Sequence, residues 1–307
     1  MNKRFLLSVV VSIAILIIIF LNFLQLEQFL EALSGVNFLL FLASDIPYLI
    51  QAVLMGYRLS WAMRKSGVKT SLWESILAHL FGMLGSDFSI GRTGYLLSSL
   101  PFKSKLAGNI GVVSTLVVVD VIMKATVGVF SAIFFIYFFG VKINPFLFMF
   151  ATTVILGGIL FFLLIKSHKS IRIVASIPLI GRIILPYYRD FRESLESLRG
   201  KLLFLLVFPF LGWILRGVEW NILGFAVGID FPFFVWLMLH PLLSLVRLIP
   251  ITLTGLGVFE LTFIMLFPEI DPAKQVTFGI LDMVNNSFID VLGLLSIWRI
   301  RKIKDQP

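Results

Sequence analysis

Long apolar runs constrain this chain of 307 residues more than any other feature. About 20 apolar residues in a helix are needed to cross a hydrocarbon core about 30 Å thick. Because 59% of the residues are hydrophobic and only 14% are charged, one soluble core cannot hide the apolar surface. The sequence therefore predicts a single all-α polytopic membrane domain over residues 1–307, with about six full transmembrane helices. The predicted spans lie near residues 5–24, 38–57, 107–139, 146–165, 202–228 and 274–298.

The first run follows Lys3 and Arg4, as a signal peptide would. It is about 20 residues long, however, and no small-residue cleavage site follows it. We therefore expect the run to remain as an extra N-terminal helix within residues 1–37.

The basic residues indicate how the spans are oriented. Most of the 26 Lys and Arg residues fall in segments that alternate along the predicted topology, namely 2–4, 58–105, 166–201 and 299–307. Only Lys142 and Lys274 fall in the opposite loops. Since cytoplasmic loops are enriched in Lys and Arg, both termini are predicted to lie on the cytoplasmic side of the cell membrane. The formal charge of +9 is thus attributed to topology and attraction for anionic lipid, and no nucleic-acid partner is predicted.

Two apolar stretches, 72–100 and 233–268, contain the interruptions GSDFSIGRTGYLL and PITLTGLGVFE. If each stretch crossed the membrane fully, the basic loop after the first and the acidic loop after the second would lie on the wrong sides. A re-entrant helical hairpin, which enters and leaves by the same face, restores the charge pattern. The sequence therefore predicts two re-entrant hairpins besides the full spans.

The two stretches are related by a constant offset of 161 residues. The matching positions are Gly56 and Gly217, Gly67 and Gly228, His79 and His240, Ile90 and Ile251, and Thr93-Gly94 and Thr254-Gly255. Chance alignment stays open as an alternative in a chain rich in Leu, Gly and Phe. The preferred interpretation is an inverted repeat with units 38–145 and 199–306, separated by residues 146–198, which contain a linking helix and a cytoplasmic amphipathic helix.

The glycine and threonine residues of the two breaks are candidates for substrate binding. Free N–H groups at the start of a half-helix, together with the helix dipole, favour an anion. A glycine-rich packing seam between helices is the alternative. Arg92 within the first break and Arg247 just before the second favour the anion. The predicted substrate-binding residues are Arg92, Thr93, Gly94, Arg247, Thr254, Gly255, Gly257 and Glu260.

Charged residues inside the predicted spans are candidates for coupling, because an ionisable group in the membrane is costly and usually faces the protein interior. The pairs Asp120 with Lys124 and Arg216 with Glu219 can each meet on one helix face. They are either self-neutralising structural pairs or functional groups. Asp282 and Asp290 have no basic residue on their own helix and are expected to pair with Lys124 or Arg216, or to take up protons. His79 and His240 are candidates for proton relay, with polar packing as the alternative.

The segment 166–201 is predicted to form an interfacial amphipathic helix. Tyr187, Phe191, Leu195 and Leu198 share one face, and charged residues occupy the others. The helix is interpreted either as a structural surface helix or as a docking site for a partner, and the structural role is preferred.

The two breaks also resemble known motifs. Pro250 to Glu260 resembles the Pro/Gly-Gly-x-Gly-x-x-Glu signature of the lysylphosphatidylglycerol synthase transmembrane-region family, and Asp87 to Tyr95 resembles its Pro-Gly-Arg-x-Gly motif. The resemblance extends from about residue 5 to 300. Ile90 and Tyr95 depart from the usual proline and glutamate of the first motif. Residues that match the family's motifs are Arg92, Gly94, Pro250, Gly255, Gly257 and Glu260.

The resemblance implies a flippase-like membrane domain. In the family's best-understood members this domain translocates a modified phospholipid and is fused to an aminoacyl-transferase domain, and in others it is attached to glycosyltransferase domains. Here no segment is long enough for a transferase domain, so a stand-alone member is expected. A separate lipid-modifying or glycosyltransferase enzyme is then a candidate partner.

Enzyme chemistry finds little support in the sequence. The absence of cysteine excludes a disulfide framework and thiol catalysis, and no HExxH, DxD or phosphate-binding loop occurs. No cofactor or metal is predicted, and enzyme activity is not expected. The leading hypothesis is a translocator for a lipid with an anionic phosphate headgroup, either a phospholipid or a polyprenyl-phosphate-linked lipid. The alternative is a membrane-embedded transferase or accessory subunit in phospholipid or lipid-linked glycan synthesis.

Overall fold

The fold is helical throughout the part of the chain that the structure describes. The structure is a computed structural model, and it describes residues 3–103, 105–140, 149, 151–153, 155–160, 180–247 and 255–304. Within these ranges no strand occurs. The α-helices are α1 (Lys3–Asn22), α2 (Leu26–Ser34), α3 (Phe38–Lys65), α4 (Leu72–Asp87), α5 (Leu106–Phe139), α6 (Ile180–Leu198), α7 (Leu202–Ala226), α8 (Phe233–Arg247), α9 (Val258–Leu266), α10 (Pro272–Asp290) and α11 (Leu295–Lys304).

Among the described residues, four helical segments are long and apolar enough to cross a membrane, namely Phe38–Lys65, Leu106–Phe139, Leu202–Ala226 and Pro272–Trp298. They coincide with four of the predicted runs, which confirms an all-helical membrane protein with several spans. The N-terminal run is bent by 96° between Val10–Asn22 and Leu26–Ser34, and the pair makes a fifth span only if it is taken as one. Much of the predicted run 146–165 lies outside the described residues.

The first predicted hairpin is a pair of tightly packed helices. Helix α4 has 16 residues, about 24 Å, which is short for a full crossing. It packs against a 3-10 helix at Ile90–Ser99 through glycines. A Cβ atom on Gly82 would lie 2.8 Å from the Tyr95 carbonyl oxygen, and one on Gly94 would overlap the Gly85 carbonyl group. Glycine is therefore needed here for backbone packing, as the packing-seam alternative predicts.

The second predicted hairpin consists of α8 and α9, which flank residues 248–254 outside the described range. Helix α8 has 15 residues and is also shorter than a span, at about 22 Å. Pro241 lies inside it and cannot donate a hydrogen bond to the carbonyl of Leu237. The indole Nε1 of Trp213 on α7 donates to that oxygen instead, at 2.6 Å. The side chain of Trp213 thus stabilises the proline-containing turn of α8.

Two local contacts recur at the predicted offset of 161 residues. Gly67 and Gly228 both have positive φ, at 85° and 72°, after the ends of α3 and α7. In each case the residue after the glycine donates its N–H to the carbonyl four residues before the glycine, at 2.9 and 2.8 Å. This is the Schellman type of helix end, which favours glycine.

The second recurring contact joins the span to the following short helix. A Cβ atom on Gly56 would lie 2.6 Å from Cα of Ile76, and one on Gly217 would lie 3.1 Å from Cα of Leu237. Each pair brings a glycine of the span against the backbone of the short helix. These matching contacts support the two-unit repeat, which stays a prediction.

The predicted amphipathic helix forms at α6 and packs on the protein. Leu195 and Leu198 are buried, and a Cβ atom on Gly111 of α5 would lie 2.7 Å from the Phe191 carbonyl oxygen. The side chain of Tyr187 lies outside the described part. The described part of the apolar face is therefore an internal packing surface of the domain.

We predict that Gly293→Ala destabilises the fold by about 1–3 kcal/mol. A Cβ atom at this position, in the 3-10 turn Val291–Leu294, would overlap the backbone of Leu80 and Phe81 on α4. Gly157→Ala is the control, because nothing lies within 4 Å of a Cβ atom there. Thermal unfolding in detergent measures the difference, and equal melting temperatures for the two variants would contradict the prediction.

Candidate functional site

A cavity of about 160 Å³ lies between the spans α3, α5 and α7 and the short helices α4 and α8. Six of the residues singled out from the sequence line it, namely His79, Asp120, Lys124, Arg216, His240 and Arg247. Other polar lining residues, which the sequence analysis did not predict as site residues, are Tyr48, Gln51, Ser86, Asp87, Tyr95, Ser244 and Asn286. The fold thus brings charged groups from both predicted repeat units to one cavity among membrane-spanning helices.

Arg216 on α7 is the most heavily bonded of these groups. Its Nη1 donates to Glu219 and Asn286, both at 2.5 Å, and its Nη2 donates to Asp282 at 2.8 Å. Its Nε donates to His240 at 3.3 Å. The i, i+3 pair with Glu219 expected from the sequence is present. The guanidinium is thereby held by partners on α7, α8 and α10.

Asp282 is fully buried between two arginines. Its Oδ1 accepts from Arg216 and from the indole Nε1 of Trp220, each at 2.8 Å, and its Oδ2 accepts from Nη1 of Arg247 at 2.7 Å. A buried carboxylate is stable only when it is paired and hydrogen-bonded. The bridge therefore ties α10 to both α7 and α8.

Arg247, the last residue of α8, lies between two cavities. Its guanidinium carbon lies 3.9 Å above the centre of the Phe259 ring, a cation–π contact. Arg247 also lines a smaller cavity of about 20 Å³, together with Asp87, Glu260 and other residues. Gly255 makes room for the arginine, since a Cβ atom there would lie 2.5 Å from Cγ of Arg247.

Glu260 acts as the cap of α9. Its carboxylate is 1% exposed and accepts the N–H of Gly257 at 2.6 Å. Gly94 has its N–H bonded as well, to the Ser89 hydroxyl at 2.7 Å. The expectation that the glycines of the breaks offer free N–H donors to an anion is thus wrong at Gly94 and Gly257, because side chains of the same segments occupy both groups.

Asp120 has a partner that the sequence did not suggest. Arg58 on α3 donates to it through Nη1 at 2.6 Å and is itself 2% exposed. The sequence placed residue 58 in a cytoplasmic segment because the apolar run near 38–57 ends there. Helix α3 continues to Lys65, so Arg58 lies inside the span and its charge is compensated there.

Two further polar pairs border the cavity. Nδ1 of His79 lies 2.8 Å from the Tyr95 hydroxyl. The Tyr48 hydroxyl donates to Asp290 at 2.9 Å, and the Tyr48 ring lies 5.1 Å from the guanidinium carbon of Arg216. Tyr48 therefore connects Asp290 to the arginine network, although the two acidic residues of α10 have different partners.

Some predicted site residues fall elsewhere. Thr93 is exposed, and the side chain of Arg92 lies outside the described part, as do Pro250 and Thr254. Within the described ranges, no group of three or more His, Cys, Asp or Glu side chains is placed to hold a metal ion.

The fold and the charged cavity define a multi-pass helical membrane protein. The family model described as "Lysylphosphatidylglycerol synthase TM region" matches residues 5–291, so the chain belongs to this family. Membership indicates a membrane protein of lipid metabolism. Neither the search of curated proteins nor that of solved structures gives a match.

We predict that Asp282→Asn destabilises the protein by about 3–5 kcal/mol, because it removes the carboxylate that pairs with both Arg216 and Arg247 in the interior. The control is Asp190→Asn, which removes a partly exposed ion pair with Lys105. That change is expected to cost less than about 1 kcal/mol. Chemical or thermal unfolding in detergent gives both values, and a loss of the same size in the two variants would refute the role of the bridge.

Proposed function

We propose that the protein is a translocator, a flippase-like carrier of a lipid with an anionic phosphate headgroup. The observation that carries the proposal is the cavity among the spans, whose lining includes Lys124 and Arg247. A phosphate that leaves water needs other charged donors, since an uncompensated buried charge costs many kcal/mol. Arginine is suited to this task because its planar fork stays protonated and matches phosphate oxygens.

The contacts of Arg247 support an exchange of partners. One carboxylate oxygen of Asp282 holds Nη1 of Arg247, while the other is held by Arg216 and Trp220. If a lipid phosphate takes Arg247, Asp282 therefore keeps two donors. Substrate binding then removes one of the three hydrogen bonds to the carboxylate, and Arg216 remains as its charged partner.

The proposed architecture has six full spans and two re-entrant hairpins, α4 with the 3-10 helix at Ile90–Ser99 and α8 with α9, in an inverted repeat. It is supported by the shortness of α4 and α8 and by the distribution of Lys and Arg. In this arrangement both termini are cytoplasmic and the protein resides in the cell membrane. Hairpins that enter from opposite faces would both border the cavity, as His79 and His240 do.

Cysteine labelling tests this topology in a chain that contains no natural cysteine. Cysteines at Lys69 and Ser104, before and after the first hairpin, are expected to react only with reagent on the cytoplasmic side. A cysteine at Glu269, after the second hairpin, is expected to react only from outside. Labelling of positions 69 and 104 from opposite sides would remove the first re-entrant hairpin and the inverted repeat with it.

Translocation itself is tested in liposomes that carry headgroup-labelled phospholipids, by following leaflet accessibility and lipid mass. Lys124→Ala and Arg247→Ala are each expected to slow transfer by at least about tenfold, since each removes a cation from the cavity. Transfer by Arg247→Lys is expected to be slowed as well, because the lysine ammonium cannot form the two parallel hydrogen bonds of a planar guanidinium.

Lys201→Ala, which removes an exposed lysine outside the cavity, is the matched control and should transfer lipid at the wild-type rate. Wild-type transfer by a folded Lys124→Ala, Arg247→Ala double variant would rule out the proposed site. A change in lipid mass without a change in accessibility would favour the transferase alternative.

A further inference from the structure

A second concave feature lies at the end of α3, apart from the cavity. It is a groove of about 310 Å³ lined by Tyr57, Ser60, Trp61, Arg64 and Lys65. It shares no lining residue with the charged cavity. The proposed translocation pathway therefore leaves this groove without a role.

The groove lies at the basic end of a helix that is longer than a hydrocarbon core is thick. Helix α3 has 28 residues and is about 42 Å long, which exceeds a hydrocarbon core of about 30 Å. Its last turn carries Arg64 and Lys65, both exposed. Trp61 and Tyr57 lie about one and two turns deeper, at the level where aromatic residues concentrate in membrane proteins.

The aromatic walls are held by the neighbouring span. The centre of the Trp61 ring lies 4.8 Å from that of Phe204 on α7. The centre of the Tyr57 ring lies 5.9 Å from that of Phe208 on the same helix. Such ring pairs restrict the rotamers of both partners. The groove is thus bordered by an ordered aromatic surface along the line where α3 and α7 meet.

The basic end of the groove is also ordered. The Nε of Arg64 donates to the Thr70 carbonyl oxygen at 3.0 Å, which ties the guanidinium to the loop after α3. Ser60, 2% exposed, lies among the lining residues one turn below. A guanidinium that is already held in place loses little conformational entropy when a ligand binds to it. The entropic cost of ordering the side chain therefore lowers the affinity only slightly.

We propose that this groove binds an anionic phospholipid from the leaflet at which α3 ends. The phosphate lies at Arg64 and Lys65, the glycerol region lies against Trp61 and Tyr57, and an acyl chain follows the line between α3 and α7. Two cations at the headgroup level select a net negative lipid over a zwitterionic one. The groove is aromatic at Tyr57 and Trp61 and cationic at Arg64 and Lys65, so its ligand must be amphipathic. A phospholipid has an apolar part for the first end and an anionic phosphate for the second.

The proposal is independent of the proposed function, since it concerns a resident lipid and not a transported one. A lipid bound across α3 and α7 adds contacts between two helices that both border the charged cavity. Because the groove and the cavity share no lining residue, loss of the lipid site and loss of transport can be measured separately.

Fluorescence quenching by brominated lipid tests the proposal with the whole protein in vesicles. The probe is dibrominated phosphatidylglycerol diluted into phosphatidylcholine, compared with the same fraction of dibrominated phosphatidylcholine. The chain has six tryptophans, so the contribution of Trp61 is the difference between the wild type and Trp61→Phe. We expect Trp61 to prefer the anionic quencher by about thirtyfold in apparent affinity, since each of two basic residues near the surface contributes about 1 kcal/mol.

The variant Arg64→Gln, Lys65→Gln is expected to remove most of that preference while its melting temperature stays near the wild-type value. Lys69→Gln, which removes an exposed lysine beyond the groove, is the control and should retain the preference. Equal quenching by the two lipids, or a preference that survives the double substitution, would overturn the proposal. It would mean that the groove contacts membrane lipid without selecting an anionic headgroup through Arg64 and Lys65. Absence of quenching by either lipid would also overturn the proposal and would indicate a protein occupant.

Discussion

The carboxylate of Asp282 is the point on which the described polar structure depends. It lies in the interior of a membrane protein, where a lone charge is very costly, and it is neutralised by Arg216 and Arg247 from two other helices. Arg216 is itself buried, the side chain of Arg247 is only 11% exposed, and each needs a carboxylate partner. Because Asp282 pairs with an arginine from each of two other helices, the bridge ties α7, α8 and α10 together.

Glycines leave room for Arg247, which belongs to this bridge, and for the nearby Glu260. Gly255 leaves space for the side chain of Arg247, and Gly279 does the same for Glu260, because a Cβ atom there would lie 2.6 Å from Oε1 of the glutamate. Gly257 adopts a φ of 86° and donates its N–H to Glu260. The glycines after Thr254 thus position two charged side chains, and this accounts for a helix-breaking, acidic sequence among apolar helices.

The sequence predicted features that depend on composition and on spacing within one helix. Run lengths predicted four of the spans, and the i, i+3 spacing predicted the pair of Arg216 and Glu219. Between helices distant in the chain, the need of a buried charge for a partner suggested the pair of Asp282 and Arg216, which the structure contains. Other such contacts were not predictable, because periodicity carries no information about which helices become neighbours. Tyr48 and Asp290 are an example, 242 residues apart. Arg58 was missed for another reason, since an arginine that follows an apolar run is ordinarily assigned to the adjacent loop.

The balance of charge around Arg247 bears on how a carrier could release its substrate. An arginine with no internal partner would hold a phosphate tightly in a dry cavity, because charge-assisted hydrogen bonds are strong there. Asp282 supplies a competing carboxylate at 2.7 Å, so the arginine has an alternative partner when the phosphate leaves. On the proposed function, binding and release then exchange one charged partner for another. Such an exchange would keep the free-energy difference between the two states small, as repeated transport requires.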